Sequence, residues 1–203
     1  LMPMSLFHLR TLLDLKGRYE KIIALSGIKR SGKDSVAAIL VDRGYTHFKF
    51  SDHLAKLVTE VVGQQIAAIY AQDHMKEVLM VGIGKSWREL MIEIGARERA
   101  KDPAVFIKKV IEAINRCEND LIVISDVRMV NELEGLREAF PVSSIALIWI
   151  DRHGCIPNQS IPTESGECRP LAHYVIQNNN EMRDLKRAAL HTLDVIELTR
   201  EAA

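Results

Sequence analysis

Lys33 closes the run Gly27-Ile28-Lys29-Arg30-Ser31-Gly32-Lys33, in which two glycines flank four residues and a lysine follows directly. Glycines at such points let the backbone turn where a Cβ would block it, so successive N–H groups can aim at anionic oxygens beside a helix N-terminus. The chemistry this pattern suits is the cradling of a nucleoside triphosphate. Gly27, Arg30, Ser31 and Gly32 would wrap the phosphates, and Lys33 would bring a mobile positive charge to the β- and γ-phosphates. The next residues, Asp34 and Ser35, differ from the Ser or Thr that commonly follows such a lysine. Both offer hard oxygen ligands for Mg²⁺, and the carboxylate of Asp34 ranks first as the metal-side ligand.

A second constellation is Ile122-Val123-Ile124-Ser125-Asp126-Val127-Arg128, an apolar run ending in an acid and a base. Placed at the carboxyl edge of a sheet, Asp126 would serve the outer shell of Mg²⁺ and Arg128 would clamp a phosphate. Phosphoryl transfer needs cations around the moving group, and Arg30, Lys29, Arg88, Arg99, Arg152 and Arg169 are the candidates. Arg88, early in a helix after Ser86, and Arg128 would grip an acceptor phosphate from two separate segments. His153, Cys155, Cys168 and His173 lack the tight spacing that marks a zinc site. The methionines read as core filling.

These residues must be held by elements, and short apolar runs alternate with longer helical patterns along the chain. That alternation predicts an α/β fold, a doubly wound parallel sheet covered by helices. Strands are expected over Lys21–Ser26, Thr46–Phe50, Leu121–Ser125, Ile145–Ile150 and Tyr174–Gln177. A helical insertion is expected over 51–119, with Ser51 and Ser86 as N-caps and Pro103 near a helix start; it reads as the acceptor-binding lobe. Residues 151–170 carry Gly154, Pro157, Pro162 and Gly166 and read as a lid. A final helix is expected over Asn180–Leu198. Residues 1–20 read as an amphipathic helix that would pack on the domain or on a second copy in a homodimer.

Lys and Arg balance Asp and Glu at 27 each in 203 residues, so no overall field would gather a polynucleotide. Three scattered cysteines suit a reducing compartment, and charges interrupt the apolar residues of the first helix well short of a membrane span. The expectation is a cytoplasmic, single-domain enzyme with a small phosphorylated acceptor, neither polynucleotide nor membrane being a partner.

With these residues in place, the chain resembles the deoxynucleoside monophosphate kinases of large phages, adenylate-kinase-like P-loop enzymes. The likeness rests on Leu25 to Ser35, where the Asp after the lysine is typical of that family, and on Phe50-Ser51-Asp52-His53-Leu54-Ala55-Lys56. It continues through Trp87-Arg88-Glu89-Leu90-Met91, Ser125-Asp126-Val127-Arg128, Thr163-Glu164 and Tyr174-Val175-Ile176-Gln177-Asn178. The resemblance implies transfer from ATP, with Mg²⁺, to a deoxynucleoside monophosphate. It also implies that Lys29, Arg88, Gly95 and Arg128 lie at the acceptor, that Phe106 stands where the family often has Trp, and that Arg152 opens the lid. Ile92, Ala96 and Ile161 depart from its polar pattern. The chain is also similar to animal-type phosphomevalonate kinases, which share the Gly-Lys-Asp loop, the Ser-Asp-x-Arg strand end and a run like Arg99-Ala100-Lys101-Asp102-Pro103 before Phe106. That similarity implies a compact cationic acceptor pocket, whereas a nucleotide needs an apolar slot, for which Leu90–Ile94 and Phe106 are the candidates. A third alternative, a nucleotide-binding regulatory subunit without catalysis, sits poorly with the intact Lys33, Asp126 and Arg128.

Overall fold

Five parallel strands form the sheet of the computed structural model, which describes residues 21–201; the helix expected over 1–20 lies outside the described residues. The strands are β1 (Lys21–Ser26), β2 (Thr46–Phe48), β3 (Leu121–Ile124), β4 (Ile145–Asp151) and β5 (Tyr174–Gln177), in the spatial order β2-β3-β1-β4-β5. β1 lies at the centre, in register with Leu121–Ile124 on one side and Ile145–Trp149 on the other. Its burial is nearly complete, which is why Ile22-Ile23-Ala24-Leu25 is a continuous apolar run and not an alternating one.

Strand geometry sends alternate side chains to opposite faces. Ile23, Leu25, Val123, Ala146, Ile148 and Ile150 meet α1 (Lys33–Val41) through Val36, Ala37, Ile39 and Leu40, and α7 (Met182–Glu201) through Leu185, Ala189, Leu193 and Ile196. Each fully buried aliphatic chain of this kind contributes about 1.5–3 kcal/mol. The layer therefore anchors the loop between β1 and α1 at both ends. α6 (Val130–Ala139) follows β3, burying Leu133 and Leu136 completely.

By compactness the chain divides into a unit of 1–49 with 111–203, which holds the sheet, and a second unit of 50–110. The second unit contains α2 (Ser51–Val62), α3 (Gln64–Tyr70), α4 (Trp87–Lys101) and the start of α5 (Val105–Arg116). The insertion is not helical throughout, contrary to the expectation from its patterning. Residues 71–86 fold as successive turns, closed by Met80 N–H donating to Lys85 O at 2.9 Å and a bridge between Leu79 and Ser86. Gly82 and Gly84 interrupt the helical run there.

Ser86 is the expected N-cap. Its Oγ accepts from Glu89 N–H at 3.2 Å while Glu89 Oε2 accepts from Ser86 N–H at 2.7 Å, a reciprocal capping box. Ser51, by contrast, is the first helical residue, and Phe50 occupies the capping position. β2 and β3 end one or two residues earlier than their apolar runs, at Phe48 and Ile124, because the chain turns there to present Lys49 and Ser125 at the sheet edge. The last helix starts and ends later than its expected bounds, at Met182 and Glu201. Residues 152–173 contain only two short 3-10 turns, at Pro162–Glu164 and Arg169–Leu171. No helix among the described residues is long and apolar enough to cross a membrane.

Candidate active site

The loop between β1 and α1 is built as a phosphate cradle. Gly27 (φ 148°) and Gly32 (φ 103°) adopt positive φ, and a Cβ on Gly27 would come within 2.5 Å of Ile150 O and 2.6 Å of Ser31 Oγ. A Cβ on Gly32 would strike the Asn178 side-chain amide. Arg30 also takes a left-handed backbone (φ 65°), the one non-glycine among the described residues to do so. Strain of this kind persists where surrounding structure imposes it.

Two ties supply that constraint. Asn178 Nδ2 donates to Ser31 O at 2.7 Å, while Asn178 N–H donates to Asp151 O at 2.7 Å, so one residue joins the end of β5, the end of β4 and the loop. Arg152 Nη1 donates to Arg30 O at 3.3 Å. Sequence reasoning attached Asn178 to a family pattern but no role, and only the fold brings it to the loop. Asn178→Ala is expected to raise the KM for ATP about tenfold with a smaller change in kcat and little change in melting temperature. The loss of one hydrogen bond costs about 1 kcal/mol, but it frees the phosphate-binding backbone. Steady-state kinetics with ATP varied would check this, and Asn178→Asp, which removes the donor while keeping the shape, should fail to restore ATP affinity.

Lys33 is buried at 6% exposure, and its Nζ donates to Gly27 O and Ile28 O at 2.8 Å each, with Ser31 Oγ at 3.5 Å. Burial and the neighbouring Arg128 guanidinium push its ammonium down to about 8, against the opposing pull of Asp34, Asp126 and Cys155. Lys33, Asp34, Asp126 and Arg128 thus share one electrostatic neighbourhood. The tie between Val127 N–H and Leu25 O at 3.2 Å shows why: the carboxyl ends of β1 and β3 lie side by side.

Asp126 is buried at 6% exposure. Arg128 is half-buried, and Glu132, itself buried, accepts from Arg128 N–H at 2.9 Å and Met129 N–H at 3.1 Å as the cap of α6. The Arg128 side chain reaches Thr163 O at 3.5 Å in the segment 152–173, so the strand end and that segment meet at this guanidinium.

Beside the cradle lies a polar chain that sequence reasoning missed. Lys49 Nζ donates to Asp34 Oδ1 at 2.6 Å, Ser125 Oγ donates to the same oxygen at 3.3 Å, and His47 Nε2 lies 2.6 Å from Ser125 Oγ. Burial would raise the Asp34 carboxyl, but the hydrogen bond and charge of Lys49, with Ser125 and Lys33, outweigh it and hold it below the usual carboxylate range. Asp34 and Asp126 are both carboxylates near Lys33, a donor set of hard oxygens that fits Mg²⁺. Ser35 stands half-buried in the first turn of α1.

Within the second unit, Arg88 is half-buried, with Nε 3.6 Å from Glu77 Oε1. Phe106 is 2% exposed, and the Arg99 guanidinium lies 4.7 Å over its ring. His53 packs on the same ring at 6.3 Å between centroids. Gly95 is small for a packing reason, since a Cβ there would press on Arg99 Nη1 at 3.1 Å and Leu54 Cδ2 at 3.2 Å. Leu90 and Ile94 are buried as well, while Met91 between them is half-buried and Ile92 is exposed. Lys29 is half-buried in the loop and Arg169 pairs at the surface with Asp151 at 3.6 Å.

Cys168 is fully buried, its thiol pushed up to about 12 by burial, and His173 Nδ1 accepts from Leu147 N–H at 3.0 Å. Both are spent on structure. Among the described residues no group of three metal-ligating side chains is assembled.

A parallel sheet with a glycine-bounded loop at the end of its central strand, a buried lysine in that loop and an acid and arginine beside it defines a P-loop kinase-type phosphotransferase. A family model for phosphomevalonate kinase matches residues 25–142, more than half of the sequence, and the chain belongs to that family. Among solved structures it is similar to TT1252 from Thermus thermophilus, at 19% identity and TM-score 0.49 over 87% of this chain and 97% of that one. It is also similar to dephospho-CoA kinase from Campylobacter jejuni, at 14% identity and TM-score 0.47 over 87% and 97% of the two chains. Shikimate kinase from Aquifex aeolicus aligns at 17% identity and TM-score 0.44 over 87% and 98%.

Proposed function

We propose that the chain transfers the γ-phosphoryl group of ATP to the phosphate of a small phosphomonoester, releasing ADP and a diphosphate ester, with phosphomevalonate as the acceptor. The observation that carries the reaction type is the convergence of Lys33, Asp126 and Arg128 where β1 and β3 end side by side. In the transfer an acceptor phosphate oxygen forms the new bond to the γ-phosphorus while the bond to the β–γ bridging oxygen breaks, its electron pair leaving with ADP. A phosphate oxygen needs no strong base, so the work left to the protein is alignment and charge stabilisation.

Each residue has a part in that work. The loop N–H groups of 27–33 hold the triphosphate, and Lys33 leaves its two loop carbonyls to follow negative charge onto the β–γ bridge. Arg128 holds the acceptor phosphate against the γ-phosphate, with Lys29 of the loop as a further cation. Arg152, on the carbonyl of Arg30, couples the lid to the cradle. Asp34 and Asp126 would hold Mg²⁺, which supplies charge neutralisation to the phosphates when bound.

The acceptor assignment draws on family membership and on Phe106. Its ring is buried, and a guanidinium already lies over it, so the face of Phe106 is not open to a base. A short, branched, anionic acceptor asks for cations and not for such a face. A deoxynucleoside monophosphate is the second reading, favoured by the resemblance of Phe50–Lys56 and of Tyr174–Asn178. An ADP-release assay across phosphomevalonate, dAMP, dGMP, dCMP, dTMP and dUMP decides between them. Phosphomevalonate is expected to give the highest kcat/KM. Turnover of one deoxynucleotide with none of phosphomevalonate would move the assignment to the second reading, and release on no acceptor would overturn both.

A further inference from the structure

We propose that Lys49 is an internal counter-ion for Asp34, holding that carboxylate in position and giving it up to the nucleotide's divalent ion. The proposal rests on the reading of Asp34 as a metal ligand and adds to it the side chain that competes for the same oxygen.

Three observations carry it. Lys49 Nζ lies 2.6 Å from Asp34 Oδ1, so a cation already sits on this carboxylate one residue after the P-loop lysine. Ser125 Oγ donates to the same Oδ1 at 3.3 Å, leaving the second oxygen outside both bonds. Finally, the pair is open to water, the Lys49 side chain being 33% and that of Asp34 73% exposed. An ion pair so placed contributes little to stability, which makes it easy to exchange for a tighter ligand.

A divalent ion bound to polyphosphate carries twice the charge of an ammonium and prefers carboxylate oxygen. Lys49 can therefore hold Asp34 without locking it away. The other contact survives the exchange. Ser125 is 1% exposed and stays braced by His47, whose Nε2–H donates to Oγ when the serine proton points at Asp34. The carboxylate thus keeps its direction while its cation changes. Lys49 comes from the end of β2 and Ser125 from the end of β3, two adjacent strands, so the arrangement belongs to the rigid sheet edge.

Binding of Mn²⁺ in the presence of ADP, followed by electron paramagnetic resonance, tests this on purified full-length protein. Lys49→Met should bind Mn²⁺ about two- to fivefold tighter than the wild type, the range that an exposed ion pair allows. Lys49→Arg should bind nearly as the wild type does, and Asp34→Asn more weakly. Unchanged or weaker binding by Lys49→Met, with Asp34→Asn weakened, would overturn the exchange while leaving Asp34 a metal ligand. Wild-type Mn²⁺ affinity in Asp34→Asn would overturn the metal-ligand reading itself. Thermal melts of each variant separate a loss of fold from a loss of binding.

Discussion

Lys33→Ala is expected to lower kcat by about three orders of magnitude or more, on the scale of removing a preorganised charge from a water-poor site. The same site makes a less usual statement about stability. A buried ammonium held at about 8 against an ordinary 10.5 means the folded protein binds this proton less tightly than the unfolded chain does. Between those two values the unfolded state carries more protons, so stability rises with pH through that window and is lowest below it. At neutral pH the charged lysine therefore works against folding, by on the order of 3 kcal/mol. Lys33→Met, which keeps the length and removes the charge, should melt higher than the wild type at pH 7, and its advantage should shrink as the pH rises from 8 towards 10.5. Kinetics and melting curves read the two halves separately. An inactive Lys33→Met that melts well below the wild type at pH 7 would mean that its bonds to Gly27 O and Ile28 O outweigh the burial of its charge.

Arg128→Ala is expected to lower kcat/KM for the acceptor by about 100- to 1,000-fold while changing the KM for ATP little. A charge-assisted contact to a phosphate is worth about 1.5–3 kcal/mol in binding, and a guanidinium that also aligns two repelling anions contributes to the barrier as well. The position is well prepared: its backbone is fixed by the buried Glu132 cap, and its side chain meets Thr163 O. Arg128→Lys should recover only part of the loss, since an ammonium cannot span two oxygens as a planar fork does. Titrating ATP and acceptor separately against each variant checks this, and an equal loss in ATP affinity would show that Arg128 serves the donor side.

Removing Arg128 also relieves one of the two causes that depress Lys33. In Arg128→Ala the lysine should titrate higher than about 8, with burial alone still holding it below its ordinary value. The two functional cations are coupled through the field they share.

The cradle was legible because its parts are contiguous. An apolar strand, two glycines around four residues, a lysine and an amphipathic helix follow one another in the chain, so local geometry alone dictates a turn lined with N–H groups. Ser125-Asp126-Val127-Arg128 was legible for a related reason, since a strand end in such a sheet delivers its next residues to the ligand edge. The five strands and the capping box at Ser86 were likewise written in short-range pattern.

What only the tertiary structure decided are contacts between segments far apart in sequence. Asn178 reaches the loop from 147 residues away, and His47 meets Ser125 across 78. Lys49 fell inside the strand expected over Thr46–Phe50, with no role, until the sheet set β2 beside β3 and brought its ammonium to Asp34. The helical insertion misled most. An apolar run is the same in sequence whether its side chains are buried or exposed, and packing buried Leu90, Ile94 and Phe106 while leaving Ile92 exposed. Which residues do phosphate chemistry was determined by local spacing; which side chains brace them, and whether an aromatic face stays open, followed from how the chain closes on itself, because burial and long-range contact are properties of the whole fold.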